Sequence, residues 1–215
     1  MTDYATLKDD VATWSARSDL STLVPSFIRI AEAAINRKLR VMEMETEVDL
    51  TVTSANEYKE SLPSGFLGFR SLFNDGNSPR MTYVEPDRFH VIDNETYFPV
   101  IRRNTGETLY TIEANKVVVD AAAGATADVT LHAVYFKRLD ALSDSNTSNA
   151  VLVAHYDVYL YGALAALWNY ADDSEQELKY TKLFDAAVAD IDAVEHGRRR
   201  SAGANIRRPP ATRVV

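Results

Sequence analysis

Two neighbouring stretches decide the fold: Pro25-Ser-Phe-Ile-Arg-Ile-Ala-Glu-Ala-Ala-Ile-Asn-Arg-Lys-Leu39 and, shortly after it, Thr46-Glu-Val-Asp-Leu-Thr-Val52. In the first, Phe27, Ile28, Ala31, Ala34, Ile35 and Leu39 form one apolar stripe at helical spacing, with Arg29, Glu32, Asn36 and Arg40 largely opposite. Pro25 suits a first helical turn, where its missing N–H has no partner to lose. At Thr46 the period drops from about 3.6 to 2. Val48, Leu50 and Val52 alternate with Glu47, Asp49 and Thr51, the pattern of a half-buried strand.

Working outward toward the N-terminus, Leu7, Val11 and Trp14 share one face of an earlier helix, with Thr6 placed to cap it and Asp9 three residues on. Toward the C-terminus, Ser54-Ala-Asn56 is a turn and Tyr58 to Leu62 returns as a hairpin partner, ended by Pro63. Ser71–Phe73 and Met81–Val84 flank the turn-rich stretch Asn74–Pro79, and Glu85–Val91 is a short helix. Strands are expected over Thr108–Glu113, Lys116–Asp120 and Asp128–Lys137. Ala114-Asn115 forms a tight turn and Ala121–Ala127, with Gly124, a looser one. Both faces of the last strand are apolar, so it should be central or covered.

After a polar loop, Asp140–Asn149, two long helices follow. Val151–Trp168 is apolar almost all round. The second starts at Ser174 with Glu177 at capping-box spacing, buries Leu178, Thr181, Phe184, Val188, Ile191 and Val194, and stops at Gly197. Helices, then strands, then helices predict an α+β fold with an antiparallel sheet. The expected organisation is N-terminal helices over 1–45, a β-rich lobe inserted over 46–140, and C-terminal helices over 150–196. The two helical segments pack as one bundle, and a basic extended tail covers 197–215.

The chain has 215 residues, no cysteine and a net charge of −8. Thiol nucleophiles, disulfides and cysteine-ligated metals are thereby excluded. The average charge hides a split. Arg198, Arg199, Arg200, Arg207, Arg208 and Arg213 fall in an acid-free stretch, leaving 17 basic and 31 acidic side chains elsewhere, a net of −14. Neither a targeting segment nor a membrane span is expected: Met1–Asp10 is polar and acidic, and Val151–Trp168 contains His155 and Asp157.

Active-site constellations do not emerge. His90, His132, His155 and His196 lack metal-ligand spacing. Glu43, Glu45 and Glu47 read as one solvated face at a strand entrance. Asp172, Asp173, Glu175 and Glu177 read as first-turn acids offsetting a helix dipole. Gly65-Phe-Leu-Gly68 lacks the elements of a phosphate loop, and no cofactor or metal is expected. A non-enzymatic binding or structural part fits better than an enzyme.

Two features ask for partners. One is the helix Val151–Trp168, whose side chains Tyr156, Tyr159, Leu160, Leu164 and Trp168 must be covered, either inside the chain or by neighbouring copies. The other is the basic tail. By composition it could be a solvated remnant, a nucleic-acid arm, or an extension that orders on an acidic partner.

Five stretches taken together resemble a known family. They are Tyr4-Ala-Thr-Leu7-Lys8 with Val11 and Trp14; Pro25-x-Phe27-Ile28-x-x-Ala31-Glu32-x-x-Ile35-Asn36-Arg37-x-Leu39-Arg40; and Leu62-Pro63-Ser-Gly65-Phe66-Leu67. Tyr135-Phe-Lys-x-Leu139-x-Ala-Leu142-Ser143-Asp144-x-Asn146 and Leu160-Tyr161-Gly162-Ala163-Leu164 complete the set. In this order they resemble the head–tail adaptor (connector) proteins of short-tailed, podovirus-type bacteriophages. Gly65 departs from the pattern, since similar proteins often carry an acid there, and the tail lies outside the recognisable pattern. The resemblance implies a virion structural protein without enzymatic activity, made in the host cytoplasm and located at the head–tail interface. It implies a ring, usually of twelve copies, below the portal protein. That ring would extend the DNA channel and dock tail nozzle or fibre proteins, with no membrane involved and genomic DNA only passing through. It further implies that Arg198–Val215 orders along the portal, its six arginines facing acidic surface. The runner-up is a nucleic-acid-binding accessory protein that uses the same arginines on DNA or RNA.

Overall fold

The computed structural model describes residues 3–74, 80–93, 109–119 and 128–203. Helix and sheet are mixed and largely segregated along the chain, as an α+β fold requires. The chain divides into two compact units. One is built from both ends, residues 1–44 and 139–215, and the other from the continuous segment 45–138.

The first unit contains α1 (Tyr4–Ser15) and α2 (Val24–Lys38). Pro25 sits in the first turn of α2. α1 starts three residues earlier than Thr6 suggests, because Asp3 is the cap: its Oδ1 accepts Thr6 N–H at 2.8 Å. The buried face is Tyr4, Leu7, Val11 and Ser15, and Trp14 is exposed. On α2 the apolar stripe is buried as expected except for Ala34, which is half-buried, and Glu32 is buried with it.

The second unit begins with β1 (Glu45–Val52), followed by β2 (Lys59–Ser61), β3 (Phe66–Asn74), β4 (Thr82–Tyr83) and α3 (Pro86–Asp93). The hairpin strands β5 (Leu109–Glu113) and β6 (Lys116–Val119) come next, then β7 (Val129–Lys137). One sheet has the order β1-β7-β3, the other β2-β6-β5-β4. β7 is central, which explains its two apolar faces. Ala114 (φ 46°) and Asn115 (φ 63°) both adopt the left-handed region that a two-residue hairpin turn needs. The expected return of Tyr58–Leu62 onto β1 does not occur. β1 pairs with β7 from Glu45↔Phe136 to Val52↔Val129, and β2 pairs with β6. The cause is local: Thr53 and Asn56 close a reciprocal capping box, and Glu57 (φ 55°) and Tyr58 (φ 56°) then turn the chain away from β1. A second departure is β4, which pairs parallel with β5, so the sheets are not wholly antiparallel. Leu50, Val52, Leu62, Leu72, Met81, Val117, Val119, Leu131 and Ala133 form one buried cluster joining strands of both sheets. The turn at 121–127, and 75–79 of the other expected turn, lie outside the described residues.

The first unit resumes with α4 (Ala150–Ala154), α5 (Tyr156–Tyr170) and α6 (Ser174–Gly203). The single helix expected over Val151–Trp168 is therefore two, interrupted at His155 (φ −138°, ψ 63°). Asp157 falls in the first turn of α5, where the dipole favours an acid. α5 packs against α1, α2, α4 and α6 and is the central helix of the unit. Gly162 makes this possible, because a Cβ there would lie 3.0 Å from Ala31 Cβ on α2 and 3.2 Å from the Phe184 ring on α6.

α6 starts at Ser174 as expected but differs in its cap and at its C-terminal end. Its cap is Asp173, whose Oδ1 accepts Gln176 N–H at 3.1 Å, rather than Ser174. Tyr180, Phe184, Ala187, Val188, Ile191 and Glu195 are buried, whereas Leu178 and Val194 are each 55 % exposed. Four-residue steps from Phe184 and Ile191 predict that face better than three-residue steps do. Nor does Gly197 stop the helix, which runs on to Gly203. Gly197 stands in open space, and the arginines after it suit the negative end of the helix dipole.

Candidate functional site

Residues of three stretches that carry the resemblance, on α1, on α2 and in the segment after β7, meet around one loop. The backbone leaving the β-rich segment, Leu139–Asn149, is held by side chains of α1 and α2. Asn36 Oδ1 accepts Leu139 N–H at 2.9 Å, while Asn36 Nδ2 donates to Glu32 O. Glu32 Oε1 accepts Leu142 N–H at 2.8 Å. Arg40 Nη1 donates to Asn36 O at 2.9 Å and so fixes the end of the same helix. Within the loop, Ser143 and Asn146 exchange backbone hydrogen bonds, and Asn146 Nδ2 donates to Ala141 O. Lys8 Nζ reaches Asp144 Oδ1 at 2.7 Å, and Tyr4 N–H donates to Thr147 O at 2.7 Å. Asn149 then caps α4 through Leu152 N–H and donates Nδ2 to the Tyr159 hydroxyl at 2.8 Å. These polar residues satisfy backbone groups that a loop against a core would otherwise leave unpaired. Their work is structural.

Glu32 is the residue that periodicity misplaced. Burial pushes its carboxyl up from the ordinary 4.5; the bond from Leu142 N–H and the charge of Arg29 pull less strongly the other way. With the folded value above the unfolded one, this group's stabilising contribution is complete below pH 4.5 and is lost as pH rises through the raised value. Glu32→Gln keeps the acceptor and removes the buried charge. It is expected to melt at or above the wild-type temperature at pH 7, with the difference shrinking below pH 4.5. Glu32→Ala orphans Leu142 N–H and is expected to cost about 1–3 kcal/mol in denaturant titration.

Gly65 has a physical explanation as a departure from the family pattern. Its φ is 73°, and its carbonyl accepts Arg138 N–H at 2.7 Å.

The α5 residues expected to meet a neighbouring copy fall into two groups. Tyr159, Leu160 and Leu164 are buried inside the chain and offer nothing to a second copy. Tyr156 and Trp168 are half-buried. The Tyr156 hydroxyl donates to Asp10 Oδ2, and burial together with that carboxylate raises its pKa. α5 is thus covered mainly by its own chain. Sequence periodicity missed the aromatic and aliphatic side chains left open: Trp14, Ile30 and Tyr170 are 51 %, 55 % and 62 % exposed.

At the basic end, Arg198 belongs to α6 rather than to an extended tail. Its Nη1 donates to Glu195 Oε1 at 2.8 Å and lies 4.0 Å from Glu43 Oε1. The backbones of Arg199 and Arg200 continue the helix, whereas Arg207, Arg208 and Arg213 lie outside the described residues.

Of the acids expected to line one face, Glu45 and Glu47 share a face of β1, while Glu43 lies in the turn before it. Glu43 sits in a 3₁₀ turn and faces Arg198, Glu45 meets Arg70 Nε at 2.8 Å, and Glu47 is exposed. At α6, Asp173 caps, and Glu177 Oε1 accepts Asn169 Nδ2 at 2.9 Å. His132 Nδ1 lies 2.6 Å from Asp49 Oδ1 across the β1/β7 pair, and both side chains are at least half exposed. His155 sits half-buried at the α4/α5 break, with Asp157 exposed. Among the described residues no group of three or more histidine or acidic side chains could hold a metal ion. None of their helices is long and apolar enough to cross a membrane.

What these residues define is a mixed helix-and-sheet protein in which Glu32, Asn36, Asn146 and Asn149 hydrogen-bond to backbone. The chain belongs to the SU10 adaptor protein family, whose model matches residues 2–209. That is a bacteriophage adaptor family, which supports a virion structural role. Among curated proteins none matches the chain.

Proposed function

We propose that the chain is a head–tail adaptor that assembles as a ring of twelve copies below the portal protein. The ring extends the DNA channel and gives tail nozzle or fibre proteins their docking surface, at the head–tail interface of a particle built in the host cytoplasm. It performs no catalysis and uses no cofactor. The family match is the observation that carries this reading, because it runs through both compact units and into the basic segment as far as residue 209.

In this reading the helical segments 1–45 and 150–196 form the body of each subunit, 46–140 the β lobe, and 197–215 the arm. Arg199, Arg200, Arg207, Arg208 and Arg213 face acidic portal surface, while Arg198, already bonded to Glu195, anchors the root of the arm. An acidic body suits a channel through which DNA must slide, since like charge disfavours phosphate contacts. By composition the part of the arm beyond α6 is suited to engage only when its partner is present, which withholds assembly until the portal is there.

Truncation after Gly203 keeps α6 whole and removes Arg207, Arg208 and Arg213. The truncated chain is expected to melt like the full chain but to lose ring formation on purified portal, read by size measurement and electron microscopy. A truncated chain that still forms portal-bound rings would rule out the arm. Full-chain binding to DNA that falls steeply with salt and vanishes on truncation would favour the nucleic-acid accessory reading instead.

A further inference from the structure

Two exposed surfaces lie on opposite faces of α5. Tyr161 and Tyr170 are nine positions apart on this helix. At about 100° per residue that is two and a half turns, so the two side chains project to opposite sides, about 13 Å apart along the axis.

On the first side the exposed Trp14 ring lies 6.4 Å from the Tyr161 ring, and Tyr161 lies 6.5 Å from the buried Tyr180. Lys179 Nζ stands 4.9 Å over the Tyr180 ring, so the aromatic row ends in a cation. On the second side the exposed Tyr170 ring rests 5.6 Å from the buried Phe27, with exposed Ile30 one turn along α2. Asp172 follows Tyr170 in a left-handed turn (φ 57°) and is exposed. Each side therefore presents an open aromatic ring backed by a buried one, with a charge at its margin, and the two charges are opposite in sign. Large aromatics with buried support and a charged rim are the anatomy of a protein interface.

We propose that these two surfaces bind each other between copies: Trp14 and Tyr161 of one copy pack on Ile30 and Tyr170 of the next, and Lys179 meets Asp172. Two different patches on opposite sides of a subunit make a head-to-tail contact. Such a contact makes a ring when the rotation per copy closes, whereas a symmetric dimer uses the same patch twice. This inference rests on the adaptor-ring reading above and names the interface that ring would use.

The test combines charge exchange with covalent trapping in the full chain, assembled on purified portal. Lys179→Glu and Asp172→Lys, each alone, are expected to lower the ring fraction at least about tenfold, because each places like charges together. The two combined are expected to recover it to within about threefold of wild type, by the same pairing argument. A chain without cysteine gives trapping a clean background. Trp14→Cys combined with Ile30→Cys should give a ladder of covalent oligomers beyond the dimer on oxidation, and neither single variant should. Thermal melts verify that each variant folds, and the charge exchange stands by itself if the cysteine pair does not. Wild-type rings with no rescue and no ladder would overturn this interface and leave the adaptor reading intact. A wild-type chain that forms no ring would overturn both.

Discussion

Gly162→Leu is expected to destabilise the helical unit by about 3 kcal/mol or more, since forcing carbons into a packed core costs about 1–3 kcal/mol even for small excesses. The first added carbon alone would meet Ala31 Cβ at 3.0 Å and the Phe184 ring at 3.2 Å, and leucine adds three more carbons beyond it. For a chain of this length the melting temperature should fall by roughly 6–12 °C, at about 2–4 °C per kcal/mol. Gly162→Ala is an instructive control. Alanine gains about 1 kcal/mol of helix propensity, which opposes the crowding, so its melt should stay within about 1 kcal/mol of wild type. Scanning calorimetry reads both. A leucine variant melting at the wild-type temperature would mean that α2 and α6 do not close on α5 at this point.

Tyr159→Ala is expected to cost about 3–5 kcal/mol, the range for deleting a buried aromatic ring. Tyr159 is fully buried, and its hydroxyl accepts Asn149 Nδ2 at 2.8 Å, so the substitution leaves a cavity and loosens the residue that caps α4. Tyr159→Phe removes only the hydroxyl and should cost about 1 kcal/mol. Burial, the larger influence, raises the Tyr159 pKa, while the Asn149 bond lowers it, so the phenol stays neutral through ordinary pH. Denaturant midpoints separate the two variants. An alanine variant within about 1 kcal/mol of wild type would show that this part of the core collapses around the loss, as soft sites do.

The structural clasp was half legible. Glu32 and Asn36 stand in one of the stretches that resemble the family, and Asn146 and Asn149 in a polar loop, but nothing local joins them. Their partners, the N–H groups of Leu139 and Leu142, lie about a hundred positions away in sequence, and hydrogen bonds of that span leave no periodic trace. Periodicity puts Glu32 on the solvent face, where a carboxylate usually lies; a single backbone donor outweighs that expectation here. The Trp14 and Tyr170 surfaces were hidden for a related reason. Apolar residues count toward a core in any periodicity argument, and only the packed neighbours decide which of them the core has room for.

By itself the sequence determined what depends on neighbours within a few positions. Period 3.6 giving way to 2 at Thr46, the proline in the first turn of α2, and the tight turn at Ala114-Asn115 each specify a local geometry, and each is present. The family, too, was readable, because its motif residues recur in order along the chain. Only the tertiary structure decided which strands pair, where the helix after Asn149 breaks, and which side of α5 is closed. β2 joins β6 instead of β1 because two left-handed residues redirect the chain. Tyr159, Leu160 and Leu164 are buried inside the chain because α5 is surrounded by four helices of the same unit. Pairing and burial are contests among distant segments for the same space, and their outcome follows from volume and hydrogen-bond closure rather than from any local pattern.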